Sequence, residues 1–149
     1  MNLKDGGFFL ILDSTSANVT FPNMSLSDVF GRKFSSKFEL ITEYGAINRA
    51  KLSGNQFLIN AFSFSNHEFI VVWQDTNEVI GQKFTSDCVV MQAPFVMLKI
   101  SEDDGASISN IKIQVLDLDY MILLWVETSS AGVNLPFVKI FDKKYQQLG

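Results

Sequence analysis

Cysteine occurs once, at Cys88, so no disulfide can form within the chain and cysteine usage points to no oxidising compartment. Histidine also occurs once, at His67, which leaves no histidine cluster for a metal within this chain. Proline is scarce at three residues, and helix signals are scarcer: no capped window of ten or more residues shows a 3.6 period. The segment 45–54 ("GAINRAKLSG") reads as at most a turn of helix or a polar connection. No apolar stretch approaches the roughly 20 residues of a membrane-spanning helix. The N-terminal run Phe8 to Leu12 is shorter than the roughly 7–15 residues of a signal-peptide core, and Asp5-Gly6-Gly7 stands ahead of it. The twelve basic residues are scattered and the net charge is −4, so there is no stripe to neutralise phosphates; nucleic acid and anionic membranes are poor partners. Phosphate-cradling glycine motifs and a G-x-S-x-G elbow are missing too.

What is present is a folding composition. Apolar residues make up 47% of 149 and charged ones 19%, with fourteen Phe, which fits one β-leaning domain or a piece of one and excludes bulk disorder. Three stretches share one apolar pattern: Gly6 to Thr15 ("GGFFLILDST"), His67 to Thr76 ("HEFIVVWQDT") and Asp119 to Thr128 ("DYMILLWVET"), with Leu12, Trp73 and Trp125 at one position. Each is followed by a shorter strand: "FGRKF" ending at Phe34, "IGQKF" at Phe84 and "FVKIF" at Phe141. Two further strands fall between copies. "FELIT" (Phe38 to Thr42) and "FVMLKI" (Phe95 to Ile100) open a unit, and "FLINAFSF" (Phe57 to Phe64) and "IKIQVLD" (Ile111 to Asp117) follow them, the latter alternating with period two.

The expected architecture is all-β: four-stranded antiparallel repeat units of roughly 50 residues forming a partial β-propeller, with a β-sandwich as the alternative. On this reading residues 7–36 are a partial unit, and 37–87 and 92–143 are full units. Trp73, Trp125, Phe34, Phe84 and Phe141 are the expected core aromatics between sheets. The strands missing before the first copy are expected in neighbouring polypeptide or a partner chain, because an exposed sheet edge is a liability that proteins cover.

"FIVVWQDT" with "VIGQKF" resembles the blades of large secreted or cell-surface repeat proteins of bacteria and some protists, whose units read roughly G-x-F-V-V-V-W-Q … G-x-Q-x-F. The middle unit matches at Phe69 to Gln74 and Gly81 to Phe84. The third keeps Trp125 but has Val126 and lacks the Gly-Gln pair, and the first has Leu12 for Trp. The resemblance implies a propeller architecture and a secreted or cell-surface setting, and it carries no catalytic residues.

Candidate chemistry is sparse. His67 sits in a polar turn and reads as a solvated turn residue. Glu102, Asp103 and Asp104 precede Gly105 and could offer oxygen ligands to Ca²⁺, but without the alternating spacing of a calcium loop a solvated loop is the better reading. Asp117 and Asp119 are turn formers first. Asn18 and Asn23 begin glycosylation sequons in one long loop. An exposed Phe21 or Tyr44 could stack on a sugar. With every patterned position explained by sheet packing, the leading expectation is a non-enzymatic structural or interaction module of a repeat array, without cofactor, contacting other chains or repeats at its sheet edge. The alternative is a carbohydrate-binding propeller. Asp75 and Glu127 recur after the Trp positions, but no loop aromatic recurs beside them.

Overall fold

The computed structural model describes residues 3, 5–14, 28–42, 45–47, 56–64, 66–100, 105–116, 120–142, 144 and 146–148. Asn18, Phe21, Asn23, Tyr44, Glu102, Asp103, Asp104, Asp117 and Asp119 lie outside them. All regular structure among the described residues is β: β1 (Phe8–Ser14), β2 (Asp28–Phe34), β3 (Gly45–Ala46), β4 (Gln56–Ser63), β5 (Phe69–Asp75), β6 (Glu78–Phe84), β7 (Phe95–Lys99), β8 (Ser107–Val115), β9 (Met121–Thr128) and β10 (Asn134–Phe141). They form three antiparallel sheets in the orders β1-β2-β3, β4-β5-β6-β7 and β8-β9-β10, a partial β-propeller.

Register confirms the alignment of the copies. Phe34, Phe84 and Phe141 pair with Phe8, Phe69 and Met121, and Leu12, Trp73 and Trp125 face Phe30, Ile80 and Phe137, four residues earlier on the partner strand in each case. Each of Phe34, Phe84 and Phe141 also bridges to a residue six positions on, Leu40, Val90 and Gln147. The equivalent strands are therefore β1, β5 and β9, then β2, β6 and β10. β4 and β8 are equivalent inner-edge strands.

The sheets break the chain at a different phase from the expected units. Phe95–Lys99 does not open a unit; it pairs with β6 and closes the second sheet. In a meander each strand can pair with the one before or after it, so the pattern cannot say where a sheet ends. The boundary is decided by the link between Lys99 and Ser107, which leads from the outer edge of one sheet to the first strand of the next. Phe38 to Thr42 is not a strand either. Ser35 Oγ accepts hydrogen bonds from the amides of Lys37 and Glu39, and Phe38 takes φ 65°, which winds this apolar run into a tight loop. Thr85 Oγ1 and Asp142 Oδ1 organise the same loop after β6 and β10. Gly45–Ala46, read as turn or connection, is the strand β3.

Apolar residues on both faces of β5 bury it between its neighbours, as its uninterrupted run requires. Phe69, Val71 and Trp73 pack with Phe9, Val29 and Ile47 of the first sheet, and Ile70 and Val72 with Met121, Leu123 and Trp125 of the third. Trp73, Trp125, Phe84 and Phe141 are buried in these two layers. Phe34 is half-buried and stacks on Phe8 at 4.9 Å, on the face of the first sheet turned away from the second. The glycine of "FGRKF" has a steric reason: a Cβ on Gly31 would lie 2.3 Å from Phe9 Cζ. The third copy carries Val138 at this position, on an outward face and 55% exposed.

Candidate functional site

The three sheets meet at the free edge of β4, which touches β1, β2 and β8. A groove of about 630 Å³ runs there between residues 9–11 of β1, 58–63 of β4 and 113–115 of β8. It adjoins a smaller hollow of about 350 Å³ that shares Ile59, Asn60, Ile113 and Gln114 and adds Ile111, Lys112 and Leu124.

Both inner-edge strands are irregular at this groove. The register of β4 against β5 shifts between Leu58 and Asn60, and that of β8 against β9 shifts between Ser109 and Lys112, with Asn110 at φ 51°. Such bulges bend a strand and re-aim its side chains, and they concentrate beside functional sites. Here they bring the exposed side chains of Asn60, Ser63, Lys112 and Gln114 to walls that Ile59, Phe62 and Ile111 line from the half-buried layer beneath. Asn60 Oδ1 accepts from the Ala61 amide at 2.8 Å, fixing one end of the carboxamide while its Nδ2 remains a donor. Lys112 stands without an ion pair among the described residues. A few converging polar groups on an apolar concave surface are the ordinary make-up of a small-molecule site. No Asp or Glu lines either hollow among the described residues.

The residues singled out by sequence do not converge on this groove. His67 is exposed in the turn ahead of β5 with φ 64°, held by its amide donating to the Phe64 carbonyl at 3.0 Å. Asp75 is buried next to the β5–β6 turn, whereas Glu127, at the equivalent position, is half-exposed and accepts from Trp125 Nε1 at 2.8 Å. Trp73 Nε1 is buried and has no hydrogen-bond partner among the described residues. Burial pushes the Cys88 thiol up to about 11, so it is protonated at neutral pH. Lys33 bridges Asp5 at 3.1 Å and reaches Asp87 at 4.0 Å, tying the N-terminal turn and the loop before β7 to the first sheet. The amide of Gly7 and then Lys33 hold the Asp5 carboxyl below its ordinary value of 3.8. No group of His, Cys, Asp and Glu suited to a metal ion occurs among the described residues. Sequence reasoning missed Asn60 and Gln114 because a polar residue alternating with apolar ones reads as a solvated strand face. Asn in the middle of a strand, a residue depleted there, was the available signal.

No family model matches the chain, and no curated protein matches it. Among solved structures it is similar to an endo-arabinase from Bacteroides thetaiotaomicron VPI-5482, with a TM-score of 0.59 and 12% sequence identity. The likeness covers 97% of this chain and 59% of that one, so the chain spans under two thirds of that structure's length. This likeness is one of fold, and that fold is a β-propeller. It overturns the expectation of a non-enzymatic structural or interaction module, since the arrangement of sheets that motivated it also occurs in an endo-arabinase. The physical reason is that packing accounts for the faces of the sheets and not for their inner edges, where the groove lies.

Proposed function

We propose that the groove at the inner edges of β4 and β8 binds carbohydrate. The observation that carries this reading is the pair of strand bulges beside which Asn60 and Gln114 line both adjoining hollows, with Ser63 and half-buried Phe62 in the larger, Lys112 in the smaller and half-buried Ile59 in both. Carboxamide and hydroxyl groups both donate and accept, which suits the hydroxyl array of a sugar. The apolar floor suits the C–H faces of its rings. The similarity of the fold to that of an endo-arabinase supports the same reading.

The experiment is isothermal titration of arabino-oligosaccharides and a panel of other soluble oligosaccharides into the full chain, the Asn60→Ala variant and the Gln114→Ala variant. Removing one hydrogen-bonding side chain from a bound polar ligand costs about 0.5–1.5 kcal/mol, a loss of about 2- to 13-fold in affinity. Binding by the parent chain with such a loss in both variants is the expected result. Heat from no saccharide, or binding untouched by both substitutions, overturns the proposal.

A further inference from the structure

The two inner-edge strands repeat one another at the groove. Asn60 pairs with Val72 and Lys112 with Leu124, each one residue before the equivalent tryptophans, so Asn60 and Lys112 occupy the same place in consecutive sheets. Each is the first paired residue beyond the break in its strand's register. The smaller hollow of about 350 Å³ therefore takes one such residue from β4 and one from β8.

Both offer hydrogen-bond donors. Asn60 Oδ1 is occupied by the Ala61 amide at 2.8 Å, which leaves Nδ2 as the group available to a ligand. The Lys112 ammonium donates, accepts nothing and carries a full positive charge. That charge is not met within the protein. Lys33, Lys83 and Lys99, on β2, β6 and β7, are each bridged by a carboxylate, whereas Lys112 has no ion pair among the described residues. Among those residues it is also the one charged side chain lining either hollow. In a chain of net charge −4, the groove is thus locally cationic.

A neutral sugar can use the carboxamides of Asn60 and Gln114 but leaves the ammonium to water. A carboxylate uses both kinds of donor: its oxygens accept from Lys112 Nζ and Asn60 Nδ2, and charge-assisted hydrogen bonds are roughly twice as strong as neutral ones. Resting on the carbohydrate reading of this groove, we infer that its ligand is an acidic saccharide, with a uronate carboxylate seated in the smaller hollow between Lys112 and Asn60.

The test is isothermal titration of the full chain with matched pairs of saccharides: an oligogalacturonate against its methyl ester, and a glucuronate-substituted xylo-oligosaccharide against the unsubstituted one. The ratio of affinities within a pair isolates the contribution of the acidic group. In at least one pair the acidic member is expected to bind about fivefold more tightly, the upper end of what an exposed ion pair gives, since Asn60 adds a second donor. Raising the ionic strength should shrink that ratio. Lys112→Met, which keeps the aliphatic stem, should abolish the ratio, and Lys112→Arg should retain it; far-UV circular dichroism checks that both variants fold. A preference that survives Lys112→Met overturns the inference. Neutral saccharides that bind while no acidic partner binds more tightly overturn it too, and leave the carbohydrate groove standing. Heat from no saccharide, acidic or neutral, overturns both.

Discussion

Two tryptophans at equivalent positions should differ sharply in what they contribute. Trp73 is the more deeply buried, 1% exposed against 5% for Trp125, yet its Nε1 is buried without a partner among the described residues while Trp125 Nε1 donates to Glu127 at 2.8 Å. The cause is local: two residues beyond Trp73 stands Asp75, whose side chain is one methylene shorter than that of Glu127. Replacing either indole by phenyl removes about three ring atoms from the core, worth about 2 kcal/mol at about 0.8 kcal/mol per methylene-sized group. In Trp73→Phe this loss is offset by relief of an unsatisfied buried donor, about 1–3 kcal/mol, leaving a net change within about 1 kcal/mol of zero in either direction. In Trp125→Phe the loss adds to that of a hydrogen bond to a carboxylate, about 1.5 kcal/mol at the low end because Glu127 is half-exposed, for a total of about 3–4 kcal/mol. Urea unfolding followed by far-UV circular dichroism, which does not depend on the indole removed, measures both. Trp73→Phe costing as much as Trp125→Phe would refute the reasoning.

Gly31→Ala should destabilise by about 1–3 kcal/mol, since its Cβ would overlap the buried Phe9 ring at 2.3 Å. Gly81→Ala should cost less, because the atoms it meets at 3.0–3.1 Å are the ends of Ile70, Phe95 and Met97; urea midpoints give the order. Thr76 holds φ 53° at the first central position of the two-residue β5–β6 turn, where glycine is favoured. Thr76→Gly should therefore raise stability by up to about 1 kcal/mol, read from the same midpoints. Lys83 and then Asn66 hold the Glu68 carboxyl below its ordinary 4.5, so its contribution is full above that value and is lost as pH falls through the lowered folded value. Stability measured from pH 7 down to acid should fall below about 4.5, and Lys83→Met should flatten part of that decline.

The strand inventory was legible because apolar runs and period two report the faces of a sheet directly. Leu12, Trp73 and Trp125 could be aligned by eye, and cross-strand register agrees. The phase of the sheets was not legible, because pairing of Phe95–Lys99 with β6 is a tertiary choice that leaves no mark on the strand itself. Phe38 to Thr42 misled for a local reason: its apolar composition suits a strand, but Ser35 ahead of it caps the backbone into a loop. The analogous Thr85 and Asp142, each directly following a conserved-pattern Phe within this chain, were a repeat signal that strand counting passed over. The groove was hidden because bulges shift register by a residue or two, and a shift in register turns an ordinary solvated Asn or Gln toward a shared hollow.

The most direct test of the proposed carbohydrate site is the amide chemical-shift map of the isotope-labelled chain during titration with arabino-oligosaccharides and the other soluble oligosaccharides. The account predicts that the shifts concentrate on β4 and β8 around Asn60 and Gln114, with little change at His67 or Cys88. Shifts absent from those two strands, or centred on a loop away from the sheet edges, would contradict it.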